Sequence, residues 1–165
     1  MQEEINTVVI GFSNQKGGVG KTTLTHLTSK ALGNDLGKKV LVLECDPQKS
    51  LSAIMEGFKE DNPSGVPAYD LIFCPIPEIN KNCEKAFGKY DFVFIDMPGT
   101  LDKKGITTML TSADIVFVPV TPSQLDLDST AKFLEELYKV QKWKEDNGYP
   151  FFYYTVMNRY KSKIS

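Results

Sequence analysis

Five short apolar runs are spaced along the chain, and each is rich in β-branched and aromatic residues. The runs are residues 7–13, 39–45, 91–97, 114–120 and 151–157. Within each run the apolar character is nearly continuous, which is typical of strands that are covered on both faces of a parallel sheet. The sequence therefore predicts five parallel strands.

Helical patterns fill the intervals between these runs. In residues 21–36 the apolar positions with helical spacing are Leu24, Leu27, Ala31 and Leu32. In residues 125–143 the apolar stripe consists of Leu127, Ala131, Leu134 and Tyr138, widened by Phe133, Leu137 and Val140. Ser123 with Asp126 indicates the start of this helix, and residues 102–112 predict a weaker one. Alternating strands and helices predict an α/β fold with right-handed crossovers.

The interval 57–89 has no clear periodicity and contains four of the nine prolines. The stretch EGFKEDNPSG, residues 56–65, predicts an exposed loop. The stretch PEINKNCEKAFG, residues 77–88, predicts one short helix. Because no linker or repeat divides the chain, we expect residues 1–165 to form a single domain.

Composition and charge limit the classes of function. The net charge of −2 and the pI near 5.5 favour neither DNA nor anionic membranes, so such contacts would need a local basic patch. The chain starts with acids and has no apolar run of about 18 residues, so we expect a cytoplasmic protein. The three cysteines, Cys45, Cys74 and Cys83, form no CxxC pair and are expected to be small apolar residues in a reducing compartment.

The stretch NQKGGVGKTT, residues 14–23, follows the first predicted strand and opens the first predicted helix. Gly20, Lys21 and Thr22 match the end of the G-x-x-x-x-G-K-[ST] phosphate loop, although Gln15 stands where that pattern begins with glycine. We expect Lys21 to reach the β- and γ-phosphates of a nucleotide and the Thr22 hydroxyl to bind Mg²⁺. The residues predicted to bind the nucleotide are Gly17, Gly18, Val19, Gly20, Lys21, Thr22 and Thr23.

Two aspartates end predicted strands, and the carboxyl ends of parallel strands face the ligand crevice of an open sheet. Asp96 is the candidate for holding Mg²⁺, with Pro98 and Gly99 as a turn that senses the γ-phosphate. Asp46 is placed to orient and help deprotonate an attacking water. For both acids the alternative is a role as a helix N-cap or turn residue.

Four ordered motifs, KGGVGKTT, ECDPQKS, YDFVFIDMPG and ADIVFVPVTPSQLDLDST, identify a resemblance that covers nearly the whole chain. The sequence resembles the ParA and MinD family of deviant Walker A ATPases, and most of all the small ParA proteins of plasmids and mobile elements. The resemblance implies a P-loop NTPase fold, a three-layer sandwich with helices on both faces of a mostly parallel sheet. It also implies an ATP- and Mg²⁺-dependent ATPase whose two subunits close face to face on ATP and separate after hydrolysis.

The resemblance also implies roles for individual residues. Lys16 matches the signature lysine that contacts the ATP of the other subunit, as an arginine finger would. Asp46 matches the acid that positions the attacking water, and Asp96 matches the Walker B acid. Asn158 matches an asparagine that reads the adenine edge, although a plain turn residue is the alternative.

Three departures from the family pattern stand out. Glu44 replaces the usual aspartate, which puts a direct metal-site role of that position in doubt. Pro98-Gly99 replaces a double proline. The chain stops at Ser165, where family members generally continue, so we expect it to lack C-terminal elements of the family.

The leading hypothesis is a DNA-partitioning ATPase with a ParB-like centromere-binding partner and nonspecific DNA contacts. The lysines that could contact DNA are Lys38, Lys39, Lys103, Lys104, Lys142, Lys144, Lys161 and Lys163, although a solvated helix or loop face is the favoured interpretation for each cluster. The alternative is a MinD-like ATPase that cycles on membranes and positions a protein assembly. A nitrogenase-like iron protein is disfavoured because no cysteine follows the Asp96 strand. A small-molecule ligase of the same broad fold is disfavoured, because the sequence shows no set of polar residues that would bind a substrate beside the γ-phosphate. The sole histidine, His26, is expected to be a surface or packing residue.

Overall fold

The computed structural model describes residues 6–99, 103–121 and 124–158, and within these ranges it contains six strands and five α-helices. The strands are β1 Val8–Phe12, β2 Val40–Glu44, β3 Asp70–Phe73, β4 Phe92–Asp96, β5 Ile115–Val120 and β6 Phe152–Met157. The helices are α1 Lys21–Asn34, α2 Ser50–Asp61, α3 Ile79–Ala86, α4 Lys103–Ser112 and α5 Gln124–Asp146, with a 3₁₀ turn at Ile76–Glu78 before α3.

The six strands form one parallel sheet in the order β3-β2-β4-β1-β5-β6. The β1–β4 register pairs Phe12 with Asp96, and the β2–β4 register pairs Glu44 with Asp96. The carboxyl ends of these three central strands therefore lie side by side. The predicted α/β class and all five predicted strands are confirmed.

Alternate residues of each central strand face opposite layers, as the period of two along a strand requires. On one face Ile10, Val42 and Phe94 pack beneath α1 and α2. On the other face the core contains Leu43 and Ile95 together with residues of α3, α4 and α5. Helices cover both faces, and this explains why the strands read as continuous apolar runs.

The prediction for the proline-rich interval was partly wrong. Residues 56–61 of the expected loop belong to helix α2, and the edge strand β3 was not predicted. The apolar run at this strand, residues 71–74, is only four residues long and is followed closely by two prolines, so it did not indicate a strand. The expected short helix is confirmed as the 3₁₀ turn and α3.

The apolar stripes predicted for two helices were partly misplaced. In α1, Leu24 and Leu32 pack on the core, whereas Leu27 is 55% exposed and the fully buried positions are polar. In α5, Phe133 and Leu137 are fully buried while Tyr138 is 60% exposed. Ser123, the predicted start signal of α5, lies outside the described residues, and the helix begins at Gln124.

Candidate functional site

The loop between β1 and α1 relies on glycines at two positions with left-handed backbone. Gly18 has φ 74° and Gly20 has φ 96°, which side chains of L-residues rarely permit. A Cβ atom on Gly20 would also lie only 2.5 Å from Nδ2 of Asn158. The loop conformation and its close contact with the end of β6 therefore both require glycine at position 20.

The N-terminus of α1 is open to a cavity. Gly20 precedes the helix and has no side chain with which to cap it, and the first turn contains no acidic residue. Gly20, Lys21, Thr22 and Thr23 all line the cavity. Backbone NH groups at a helix N-terminus, together with the helix dipole, attract an anion such as a phosphate.

Lys21 points its ammonium group back onto the loop. Its side chain is 5% exposed, and Nζ donates hydrogen bonds to the carbonyl oxygens of Lys16 at 3.0 Å and Asn14 at 3.4 Å. Burial lowers the pKa of Lys21, an effect that the nearby carboxylates of Asp96 and Asp46 oppose. A poorly hydrated ammonium group at this place favours an anionic ligand.

Asn14 holds the backbone around Lys16, a role that sequence reasoning missed. Its side chain is 4% exposed, and Nδ2 donates to the carbonyl of Pro119 at 2.9 Å and to Oγ1 of Thr130 at 3.1 Å. Oδ1 accepts the backbone NH of Lys16 at 3.2 Å. Asn14 thus links the start of the loop to β5 and α5. Its position directly after a strand was the only available signal.

Asp96 and Thr22 form a polar pair that fits a magnesium ion. The Thr22 hydroxyl donates to Oδ2 of Asp96 at 3.1 Å, whereas the buried Oδ1 atom has no hydrogen-bond partner among the described residues. Burial, above all, raises the pKa of Asp96 to about 7. A desolvated carboxylate with a free oxygen beside a hydroxyl offers the oxygen ligands that Mg²⁺ prefers.

Asp46 lies on the same cavity, in the turn that follows β2. It is half-buried, and its Oδ1 atom accepts the backbone NH of Gln48 at 2.9 Å. The turn role considered as the alternative is therefore present. The second carboxylate oxygen takes no hydrogen bond from Gln48, so the turn contact does not prevent Asp46 from acting on a bound water.

The cavity has a volume of about 1010 Å³ and brings most of the predicted site residues together. It extends from the loop past Asp46 and Met97 to an apolar wall that includes Phe73 and Pro75. The turn after Asp96 comes close to the loop, since a Cβ atom on Gly99 would lie 3.6 Å from Cα of Gly17. The site residues that line the cavity are Gly17, Gly18, Gly20, Lys21, Thr22, Thr23 and Asp46.

Four other predicted residues do not line the cavity: Lys16, Val19, Asp96 and Asn158. Val19 is buried, and its carbonyl oxygen accepts a hydrogen bond from Nδ2 of Asn158 at 2.8 Å. The backbone NH of Asn158 donates to the carbonyl of Val120 at 2.7 Å. Asn158 thus holds the phosphate loop against the end of the sheet, a contact that its predicted role as an adenine reader did not include.

Glu44 caps helix α2, which the sequence did not reveal. Its side chain is fully buried, and Oε1 accepts the backbone NH of Leu51 at 2.7 Å. The backbone NH of Ser52 donates at 3.3 Å, and the Ser52 hydroxyl makes a further short contact. Glu44 therefore fixes the helix that follows the Asp46 turn, and the side chain is long enough to reach it.

The lysines considered for DNA contact differ in availability. Lys38, Lys39, Lys104 and Lys142 are exposed, but Lys144 is 4% exposed and donates to the carbonyl of Ala113. Lys161 and Lys163 lie outside the described residues, as does the side chain of Lys103.

His26 packs edge-to-face on Tyr69, with Nδ1 and the tyrosine hydroxyl 2.7 Å apart. In the described part of the chain, no helix combines the length and apolar character needed to cross a membrane.

Comparisons with curated proteins reveal relatives that distribute or partition cellular material. Maintenance of carboxysome distribution protein A of Halothiobacillus neapolitanus is 27% identical over 133 residues, which are 81% of this chain and 59% of that protein. Chromosome-partitioning ATPase Soj of Treponema pallidum is 28% identical over 164 residues, covering 79% of this chain and 63% of that protein. The chain therefore spans about three fifths of the length of these relatives.

A solved structure and a family model agree with these relatives. The MinD cell division protein of Aquifex aeolicus is similar with a TM-score of 0.71 and 26% identity, covering 93% of this chain and 70% of that one. The likeness confirms the expected P-loop fold with helices on both faces of the sheet. The model of the CobQ/CobB/MinD/ParA nucleotide binding domain matches residues 10–164, which include the phosphate loop, Asp46 and Asp96. The predicted resemblance is thereby confirmed, and the chain belongs to the CobQ/CobB/MinD/ParA nucleotide binding domain family.

Proposed function

We propose that this chain is a Mg²⁺-dependent ATPase that works as an ATP-driven dimer switch in partitioning or positioning. The observation that carries the proposal is the juxtaposition of three features at or directly beside one cavity. The open N-terminus of α1 and Lys21 line the cavity. The Asp96 carboxylate, with its unpartnered oxygen, lies behind the cavity wall and is joined to it by the hydrogen bond with Thr22. The helix N-terminus and Lys21 attract phosphates, and the Asp96 carboxylate helps to hold a metal ion. Together they suit a nucleoside triphosphate with Mg²⁺.

The residues of one subunit divide the work of binding and hydrolysis. The backbone NH groups of the loop and Lys21 hold the phosphates, and Thr23 adds a hydroxyl at their edge. Thr22 and Asp96 hold Mg²⁺, which when bound offsets charge on the phosphate oxygens. Asp46 orients the attacking water and accepts its proton. Asn158 keeps the loop against β6, on the side where the resemblance places the adenine.

Lys16 serves the second subunit in this proposal. Its backbone NH is held by Asn14 and its carbonyl oxygen by Lys21, while the residue as a whole is half-buried. A cation that reaches the phosphates of the partner's ATP would stabilise developing charge only in the dimer. Hydrolysis would then depend on assembly.

Separate substitutions of the two lysines test this division. Lys21→Ala should abolish nucleotide binding, because it removes the cation that faces the phosphates. Lys16→Ala should retain binding but lose dimer formation and at least about 10-fold in ATP turnover, since an in-trans cation acts mainly on the transition state. Exposed Lys30 on α1 provides the matched control, Lys30→Ala, which should behave as the unaltered chain. Nucleotide titration, light scattering and phosphate release supply the three readouts.

If Lys16→Ala loses nucleotide binding as fully as Lys21→Ala does, the proposed division is wrong. If both variants bind ATP normally, the phosphate site itself has been misassigned.

DNA partitioning is the cargo function that we favour. The similarity to the chromosome-partitioning ATPase Soj of Treponema pallidum supports it, as do the exposed residues Lys38, Lys39, Lys104 and Lys142. ATP-bound dimers would contact DNA without sequence preference, and a ParB-like adaptor would stimulate hydrolysis in a cytoplasmic, nucleoid-associated cycle. DNA binding should require ATP and weaken steeply with salt. Equal binding with ADP and ATP would contradict this function.

Positioning of a protein assembly is the second candidate. The similarity to a carboxysome distribution protein and to MinD favours it. A MinD-like cycle on membranes would require co-sedimentation with anionic liposomes in ATP but not in ADP. Liposome binding without DNA binding would favour this candidate over DNA partitioning.

A further inference from the structure

Two of the three buried cysteines occupy equivalent positions on neighbouring strands. Cys45 directly follows β2 and is 3% exposed, and Cys74 directly follows the edge strand β3 and is 0% exposed. The third, Cys83, lies on α3 and is 7% exposed. All three thiols are free and belong to the same apolar core.

The register of the sheet brings Cys45 and Cys74 together. The last β2–β3 pair is Glu44 with Phe73, and the backbone NH of Cys74 donates to the carbonyl of Glu44 at 2.8 Å. The two cysteines form the next position across the ladder. Neighbouring strands lie about 4.8 Å apart, within the roughly 4.4–6.8 Å between Cα atoms that a disulfide spans. Both side chains face the same core, so no rotation of a strand is needed to join them.

The surroundings of Cys74 favour a reactive thiolate. The amide Nδ2 of Asn82 donates to Sγ of Cys74 at 3.3 Å. The neighbouring Cys45 thiol, above all, and the Asn82 amide lower the pKa of Cys74, against the effect of burial. A lowered pKa increases the share of thiolate, which is the nucleophilic form.

A small oxidant has a path to the pair. Cys45 lines the 1010 Å³ cavity, as does Pro75, the residue after Cys74. Strand β3 is four residues long and pairs only with β2 on its inner side, and Phe73 at its end is 44% exposed. Short edge strands open more easily than central ones, which gives solutes access to Cys74.

We propose that Cys45 and Cys74 form a peroxide-responsive dithiol site that closes to an intramolecular disulfide. The Cys74 thiolate attacks one oxygen of hydrogen peroxide, which forms a sulfenic acid and releases hydroxide. The Cys45 sulfur then displaces hydroxide from that sulfenic acid, and the S–S bond forms. The two thiols are oxidised, the peroxide is reduced, and the released protons and hydroxides leave as two waters. The disulfide would tie the edge strand to β2 beside Asp46.

Trypsin offers a direct test, because it places each cysteine in a different peptide. Cleavage after lysine gives residues 40–49 with Cys45, 60–81 with Cys74 and 82–85 with Cys83. The intact chain is treated with hydrogen peroxide, the remaining thiols are alkylated, and the digest is analysed by mass spectrometry. We expect peptide 40–49 linked to peptide 60–81, with the link lost after dithiothreitol. Peptide 82–85 should be recovered as the alkylated form.

Matched variants separate the pair from the third cysteine. Cys83→Ser should form the link at the rate of the unaltered chain, whereas Cys45→Ser and Cys74→Ser should form none.

The disulfide closes a loop of about 30 residues, so oxidation should raise the Tm of the Cys83→Ser chain, by at most about 10 °C. A link to peptide 82–85, or overoxidation of one cysteine without any link, would overturn the proposal. So would full recovery of alkylated Cys45 and Cys74 from peroxide-treated, folded chain. The mapping uses no nucleotide, so its result does not depend on the proposed ATPase.

Discussion

Glu44→Ala should destabilise the chain severely, although the residue lies outside the cavity wall. The substitution removes the acceptor for the backbone NH groups of Leu51 and Ser52 and for the Ser52 hydroxyl. Loss of a helix cap costs about 1 kcal/mol, and a buried donor without a partner costs about 1–3 kcal/mol. Relief of the buried charge offsets part of this cost. With part of this cost offset, the expected decrease in the free energy of unfolding is about 2–3 kcal/mol.

Glu44→Gln isolates the contribution of the charge. The glutamine has the same shape and keeps one carbonyl acceptor, but it loses the negative charge at the N-terminus of α2. We expect a smaller loss of about 1–2 kcal/mol, from the weaker hydrogen bonds and the helix dipole. For a chain of this length, 1 kcal/mol corresponds to roughly 3 °C in Tm.

Urea unfolding followed by circular dichroism measures both variants, provided that the m-value stays constant. Ser52→Ala is the partner variant, and in a double-mutant cycle Glu44 and Ser52 should show a coupling of about 1 kcal/mol or more. The assigned cap would be refuted if Glu44→Ala and Glu44→Gln both unfolded within about 0.5 kcal/mol of the unaltered chain, the scale of ordinary surface substitutions.

Three further predictions concern the loop and the proposed metal site. Asp96→Asn should raise the Tm in EDTA, because it removes a desolvated carboxylate. The same substitution should abolish the increase in nucleotide affinity that Mg²⁺ causes, which we expect to be about 10-fold or more in the unaltered chain. An unchanged Mg²⁺ effect in calorimetric titrations would contradict the metal assignment. Asn14→Ala should lower the free energy of unfolding in urea by about 2–3 kcal/mol. It should also slow ATP turnover more than it weakens ATP binding, since it frees the backbone of Lys16. An equal effect on turnover and binding would argue that Asn14 does not act by holding Lys16. Gly20→Ala should lower the free energy of unfolding for two reasons, the close contact with Asn158 and about 1–2 kcal/mol of strain from the left-handed backbone. Adding Asn158→Ala removes only the contact, so the double variant should recover only part of the lost stability. Complete recovery in urea unfolding would show that φ at position 20 imposes no cost.

Local patterns were sufficient to predict most of the fold and several of the residues that line the cavity. Strands covered on both faces need continuous apolar runs, so β1, β2, β4, β5 and β6 were predicted to within one residue at each end. Strand β3 and the whole of helix α2 were missed, because β3 is only four residues long and α2 is capped by Glu44 of strand β2 instead of a residue next to the helix. The α1 stripe was partly misplaced, since its buried face is built from Lys21, Thr25 and Ser29.

By itself, the sequence determined the phosphate loop and its place between a strand and a helix, because glycine spacing and the lysine are local requirements of phosphate binding. Only the tertiary structure decided what supports that loop and the neighbouring turn at Asp46. Asn14, Glu44 and Asn158 act on residues that are remote in the chain or in another layer, through hydrogen bonds of buried groups. The same holds for Cys45 and Cys74, which become neighbours only through the register of two parallel strands. Such pairings depend on how the sheet is assembled, and spacing along a single sequence does not contain that information.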